Sequence, residues 1–305
     1  MLDISIMIEG QMGITWPGWK QLVATVEELG FAGLFRSDHF TDPNPPDRAS
    51  LETIISLAYV ADHTTNIHFG PLVAPVSFRD PVMLARQAAA IDDLSGGRMI
   101  LGLGAGWQER EHRLFGYELG DTDTRFARLT EALEVTTRLL QSDEPTTFEG
   151  QFFQIREATL LPRPQRPGGP QILIGGNGPK RTLPLAARFA TVWNGVGLAP
   201  DDFRARSSML DDMLREHGRQ PGDVRRTMMT GQIVAPDRAA LEQKLRENAT
   251  PEQRNLLFDE LLAAAQSGGW RRLIGTPDMV AEQLAAYAEA GVKELMLQWF
   301  DFDDM

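Results

Sequence analysis

With 305 residues, a formal net charge of −12 and no cysteine, the chain is long enough for two domains or one large α/β barrel, and it has no thiol for disulfides, thiolate metal sites or nucleophilic catalysis. The excess of acid excludes a general affinity for nucleic acid or anionic membrane, since both rest on clustered Lys and Arg. No apolar run approaches the roughly 20 residues of a spanning helix, and "MLDISIMIEG" has no basic stretch ahead of its apolar residues, so the expectation is a cytoplasmic protein with a small-molecule substrate and no membrane partner.

Short apolar runs alternate with longer helical patterns, the signature of βα units around a parallel sheet. In chain order, strands are predicted over 4–8, 33–37, 67–73, 98–104, 171–174, 191–195, 227–234 and 294–299. Helices are predicted over 16–29, 51–63, 81–94, 125–140, 180–189, 201–217 and 277–290. Asp80 before Pro81 and Thr276 before Pro277 read as capping residues ahead of a proline in the first turn. Eight strands favour one closed (β/α)8 barrel over 1–305 rather than an open doubly wound sheet. Two segments exceed a minimal barrel: 142–170, whose "TTFEGQFFQI" reads as a β-hairpin, and 237–269, which reads as a charged helical pair. The final "FDFDDM" is too short for a closing eighth helix, which leaves that face to the insertion helices or to a partner subunit.

In such a barrel, chemistry belongs at the C-terminal ends of the strands. Those ends carry Glu9, then "RSDHF", "GPLVAPVSFRDP", "GLGAGWQEREH" and "GGNGPK". Asp38 and His39 are adjacent, so on extended backbone they point to opposite faces, and only one of them lines the mouth. The glycine loop after 171–174 removes Cβ atoms ahead of a helix start, whose free N–H groups suit an anion; the alternative is an ordinary strand-to-helix turn. The five histidines show neither H-x-H nor H-E-x-x-H spacing, and no metal site is expected. "GLGAGW" has Trp107 where a dinucleotide fingerprint needs its last glycine, and no G-x-S-x-G elbow occurs. Met228, Met229 and Met296 are expected in the core, while Trp107 and Trp193 are candidates for the mouth.

Taken in order, "GLFRSDHF", "FGPLVAPVSFRDPVMLARQAAAIDDLSGGRMILGLGAGW", "PQILIGGNGPKRTLPLAARFATVWN" and "GTPDMVAEQLAAYAEAGVKELML" resemble the bacterial luciferase-like superfamily of flavin and deazaflavin oxidoreductases. The resemblance spans nearly the whole chain. It implies a (β/α)8 barrel with an insertion, frequently dimeric, that holds coenzyme F420 (8-hydroxy-5-deazaflavin) or, alternatively, FMN in the barrel mouth. It implies a phosphate site at Gly175, Gly176, Gly178 and Pro179, with Lys180 or Arg181 adding charge, and a coenzyme contact at Asp38. A non-proline cis peptide or bulge is implied around Gly70-Pro71-Leu72-Val73, behind the ring, with Gly104 nearby. Ala74 stands where the family often has Thr, and Gln108 where it commonly has Asn. His39 matches the catalytic histidine of the deazaflavin sugar-phosphate dehydrogenases, but Ala105 replaces their acidic residue and the tryptophan expected after "SDHF" is absent.

The resulting expectation is an F420-dependent oxidoreductase acting on a small organic substrate, with His39 as acid or base and Glu9 as a proton-handling carboxylate. The alternatives are an FMN-dependent monooxygenase and a non-catalytic flavin-binding protein.

Overall fold

The computed structural model describes residues 2–267, 271–300 and 302. Its main sheet is built from β1 (Asp3–Ile8), β2 (Gly33–Arg36), β3 (His68–Pro71), β4 (Ala74–Pro75) and β5 (Ile100–Gly104). A separate antiparallel hairpin, β6 (Thr146–Glu149) and β7 (Gln154–Ala158), falls where "TTFEGQFFQI" predicts it. The sheet continues with β8 (Gln171–Gly175), β9 (Val192–Val196), β10 (Arg225–Val234), β11 (Arg272–Gly275) and β12 (Glu294–Trp299).

The sheet runs β3-β2-β1-β12-β10-β9-β8-β5-β4, with parallel pairing throughout. Strands β3 and β4 are two halves of one position, separated by a cis peptide between Leu72 and Val73. The first half pairs with β2 and the second with β5, and a Phe69–Met99 bridge joins the two edges. The result is a mostly parallel, nearly closed α/β barrel. The cis bond lies where the bulge was expected, but it avoids Pro71. The seam closes because Gly70 and Gly102 lack side chains: a Cβ on Gly70 would sit 1.8 Å from the Ile100 carbonyl oxygen, and one on Gly102 2.2 Å from that of Pro71.

Strands covered on both faces need apolar residues on both. Ile6, Ile8, Leu34, Leu101 and Ile174 face the helices, whereas Met7, Phe35, Ile100, Leu173 and Met296 form a separate cluster inside the barrel. At the amino-terminal end of the interior, buried Glu294 accepts hydrogen bonds from Ser5 Oγ and from His68 Nε2–H (2.7 Å), with Arg225 3.4 Å from its other oxygen.

The helices are α1 (Trp16–Glu28), α2 (Thr53–His63), α3 (Pro81–Leu94), α4 (Glu109–Phe115), α5 (Thr122–Gln141), α6 (Thr182–Phe189), α7 (Pro200–Glu216), α8 (Arg238–Glu247), α9 (Phe258–Gln266) and α10 (Pro277–Glu289). Asp80 caps α3 by accepting the Val82 and Met83 N–H groups, as its position before Pro81 predicts. Thr276 does not cap α10 with its hydroxyl, although the helix starts there. Helix α5 begins three residues before its predicted start, because Asp121 accepts the Thr124 N–H. The second insertion holds the expected helical pair, α8 and α9, around a satellite core of Ile233, Leu241, Leu245, Leu261 and Ile274. Just after it comes β11, which the sequence reading lacked and which pairs with the second half of β10. Residues 268 and 269 of that insertion, and most of the "FDFDDM" tail with its expected lack of an eighth helix, lie outside the described residues. Among the described residues no helix is long and apolar enough to cross a membrane.

Candidate active site

The C-terminal strand ends surround a cavity of about 570 Å³. Met7 and Leu72, both members of the inner core, close it from below, and Trp107 and Phe300 stand exposed at its rim. Gly175 and Gly176 present bare backbone to it. A wider hollow of about 690 Å³ beside α8 is lined by the polar face of that helix, including Glu242, Gln243 and Arg246, and lies away from the strand ends.

Two loops and strand β12 are tied together beneath the cavity opening. Glu9, which follows β1, accepts from Gln298 Nε2 (2.9 Å) on one oxygen and from Gln11 Nε2 (3.0 Å) on the other. Gln11 in turn accepts from Ser37 Oγ (2.8 Å), whose oxygen receives the Gly10 N–H (3.2 Å). The carboxylate is thus held by amides from two elements and borders the cavity. Asn194, on β9, donates its Nδ2 to Thr227 Oγ1 (2.9 Å), and its Oδ1 is buried at the cavity without a partner among the described residues. A buried acceptor left open at a cavity calls for a donor from whatever fills it.

His39 reaches the same cavity from the loop after β2. Its Nδ1–H donates to Glu111 Oε1 (2.9 Å), and the other Glu111 oxygen accepts the Phe40 backbone N–H (3.1 Å). Trp107 meets the imidazole edge to face at 5.5 Å. Burial alone would push the His39 pKa down, but the hydrogen bond and charge of Glu111, with Glu9 and Asp38 behind them, hold it above the ordinary histidine value. Asp38 points the other way, as alternation requires: Arg79 grips it through Nε (2.8 Å) and Nη2 (2.6 Å), and Arg79 also reaches Glu52 (2.7 Å).

The glycine loop is tightly built. Gly176 adopts φ 122°, where a side chain would be strained, and its N–H donates to the Asn194 carbonyl (2.9 Å). Asn177 ties the ends of β8 and β9 by donating to Val196 O (2.7 Å) and accepting from Val196 N–H (2.9 Å). The Gly178 carbonyl takes the N–H groups of both Thr182 and Leu183, which delays α6 by two residues relative to its predicted start.

The family model described as luciferase-like monooxygenase matches residues 6–294. The chain belongs to this luciferase-like family. A relative from Kineococcus radiotolerans, named F420-dependent glucose-6-phosphate dehydrogenase, is 28% identical over 285 residues, covering 88% of this chain and 83% of its own. The FMNH2-dependent dimethylsulfone monooxygenase of Pseudomonas putida is 24% identical, covering 93% of this chain and 83% of its own. Among solved structures, an F420-dependent secondary alcohol dehydrogenase in complex with an F420-acetone adduct superposes with a TM-score of 0.81 over 99% of this chain and 95% of its own, at 20% identity. The relatives are oxidoreductases, and this luciferase-like protein is an enzyme of their family.

Within the luciferase-like barrel, His39, Glu9, Leu72, Gly175 and Gly176 come together at the cavity. Gly178 and Pro179 follow in the same loop without lining it, and Gly176 has already committed its N–H. Asp38, Pro71, Ala74, Gly104 and Gln108 stand behind the cavity wall. Gln108 supports the His39 loop, since its Nε2 donates to the Thr41 carbonyl (2.9 Å). Gly104 lies against Val73, where a Cβ would come within 2.3 Å of Val73 Cγ2. Trp107 lines the mouth, but Trp193 faces outward, stacked on Phe203 with its Nε1–H on the Gly176 carbonyl. Met228 and Met296 are core as expected, whereas Met229 turns to the cavity. Sequence reasoning missed Asn194 and Glu111. Strand period would have found Asn194, two residues from inward Val192; no local pattern marks Glu111, on a short charged helix.

Proposed function

We propose that the protein is a coenzyme F420-dependent oxidoreductase that transfers hydride between the deazaflavin and a small organic substrate, with His39 as the acid–base group. The observation that carries this reading is the imidazole held by Glu111 at the cavity edge, beside bare glycine backbone and the open acceptor of Asn194. These features suit a flat heteroaromatic ring with N–H donors: Asn194 Oδ1 would take such a donor, Leu72 and Val73 would back the ring, and Gly175 and Gly176 would let it approach the main chain. A phosphate would lie farther along the loop, at Gly178 and Pro179, near the start of α6 and the exposed Lys180. The extended match to an F420-dependent relative supports the same reading.

When bound, the deazaflavin supplies or accepts a two-electron hydride. The chain's own tasks are to orient the partners, exclude water and manage one proton. His39 holds or releases that proton at Nε2, and Glu9, fixed by its two glutamines, orients a polar group of the substrate. Among the described residues the charged groups lining the cavity are Glu9, Asp42 and His39, and Glu111 already balances the histidine. That electrostatic setting disfavours a phosphate dianion and suits an uncharged substrate. Ala105, where the sugar-phosphate dehydrogenases carry an acid, points the same way.

The test is a paired fluorescence titration with F420 and FMN, each oxidised and reduced. Tight F420 binding with weak FMN is expected. Preference for FMN would support monooxygenase chemistry, as in the dimethylsulfone relative, and binding of neither would overturn the cofactor reading.

A further inference from the structure

We propose that Glu111 is the positioning residue of His39, fixing which ring nitrogen carries the resting proton and placing a buried negative charge against the imidazole. The carboxylate is 1% exposed and holds the histidine segment at two points, accepting from the ring Nδ1–H of His39 and from the backbone N–H of Phe40. Both ring rotation and loop position are thereby set by one side chain. The Gln108 amide lies 3.3 Å from the same Nδ1, but its better bond is to the Thr41 carbonyl at 2.9 Å. Nδ1 is therefore the nitrogen that donates, and Nε2 is left for the cavity.

The charges around the ring favour the imidazolium. Glu111 comes from α4, Glu9 from the end of β1, and Asp42 from the loop beyond; Asp38 is offset by Arg79. His112 approaches Glu111 at 4.0 Å, but its nitrogens are engaged by the Gln108 carbonyl (2.7 Å) and Ser77 Oγ (2.7 Å). The raised His39 pKa agrees with this arrangement.

The inference rests on the proposed function for its chemical consequence. An uncharged hydride acceptor such as a ketone, aldehyde or imine would receive hydride at carbon from a reduced deazaflavin and a proton at oxygen or nitrogen from His39 Nε2. The double bond becomes a single bond, the cofactor is oxidised, and His39 regains its proton from solvent. Glu111 makes no contact with substrate in this scheme; it acts through the ring it holds.

The test needs no cofactor. Imidazole ¹H, ¹³C and ¹⁵N resonances of the full chain are followed against pH in wild type, E111Q and E111D, with His39 assigned by its loss in H39Q. Wild type is expected to titrate above the ordinary value and to show the Nδ1–H tautomer when neutral. E111Q is expected to lower the His39 pKa by about one to three pH units and to mix the tautomers, and E111D to restore part of both. An unchanged titration in folded E111Q, or an Nε2–H tautomer in wild type, would overturn the proposal. If E111Q does not fold, E111D decides: a His39 titration identical to wild type overturns the proposal, and an intermediate value supports it. Failure here with tight F420 binding would remove Glu111 from the mechanism and leave the cofactor reading standing, while the converse would leave a positioned histidine in search of another cofactor.

Discussion

Two histidine–glutamate pairs stand at opposite ends of the barrel, and they are built for different purposes. At the base, His68 and Glu294 meet at 2.7 Å, and Ser5 and Arg225 share the same carboxylate, so the pair is knitted into β1, β3, β10 and β12. At the mouth, His39 and Glu111 meet at 2.9 Å, and the cavity borders the imidazole. The contact distance does not separate a structural histidine from the proposed acid–base group. What separates them is that the His39 ring borders a space a ligand can enter, whereas His68 sits on β3 among the strands of the base.

The largest expected effect breaks the mouth pair. His39→Ala should lower turnover by about 10²–10⁴-fold, the usual range for a positioned acid–base group, while F420 affinity stays close to wild type. The matching change at the base, Glu294→Gln, should do the reverse. It leaves Arg225 and His68 facing a neutral amide, and breaking a buried pair costs about 3–5 kcal/mol of stability. Urea melts and turnover per folded molecule, measured on both variants, check the comparison; a catalytic loss at Glu294 without unfolding would show that the base also serves the mouth.

The same contrast shows what the sequence could disclose. The eight strand positions were legible because strands covered on both faces are apolar on both. The opposed directions of Asp38 and His39 followed from the period of two. That period also sends Trp193 outward and Asn194 inward, yet strand-end position alone had made Trp193 a mouth candidate. Strand β11 escaped because "RLIG" is four residues beginning with arginine, and α4 because "EREHRLF" is one charged stretch of two turns. Glu111 went unseen with its helix: its role depends on a loop 72 residues away, and no local spacing encodes that. The position of the cis bond is likewise a property of how the two halves of one strand pair with different neighbours.

A pH series sharpens the comparison, because the two pairs fail at opposite ends of the scale. The His39 pKa is raised in the folded protein, so its contribution is fully present below the unfolded value of about 6.5 and is lost as pH rises through the folded value. Glu294 behaves oppositely: burial pushes its pKa up, but the His68 hydrogen bond and charge, with Ser5 and Arg225, hold it below the ordinary carboxylate value. Its contribution is present above the unfolded carboxylate value and is lost as pH falls through the folded one. Urea melts across pH should therefore show Glu111→Gln flattening the alkaline limb and Glu294→Gln flattening the acid limb. Equal flattening of both limbs by either variant would mean that the two ends are coupled through the core.

The smallest expected effect comes from a carboxylate that has more donors than Glu294 but less burial. Glu27, near the end of α1, accepts from the N–H groups of Thr65, Asn66 and Ile67 and from the Thr65 hydroxyl and the Asn66 amide. Against the upward push of burial, these donors bring its pKa down to about 2. It pins the loop that feeds β3, yet water competes for every one of those bonds. Glu27→Gln should therefore cost only about 1 kcal/mol, well short of Glu294→Gln despite a longer list of hydrogen bonds. Its loss should be visible above the ordinary carboxylate pKa and should fade as wild type itself protonates toward pH 2. A cost matching that of Glu294→Gln in urea melts would mean that donor count, rather than desolvation, sets the strength of these carboxylate anchors.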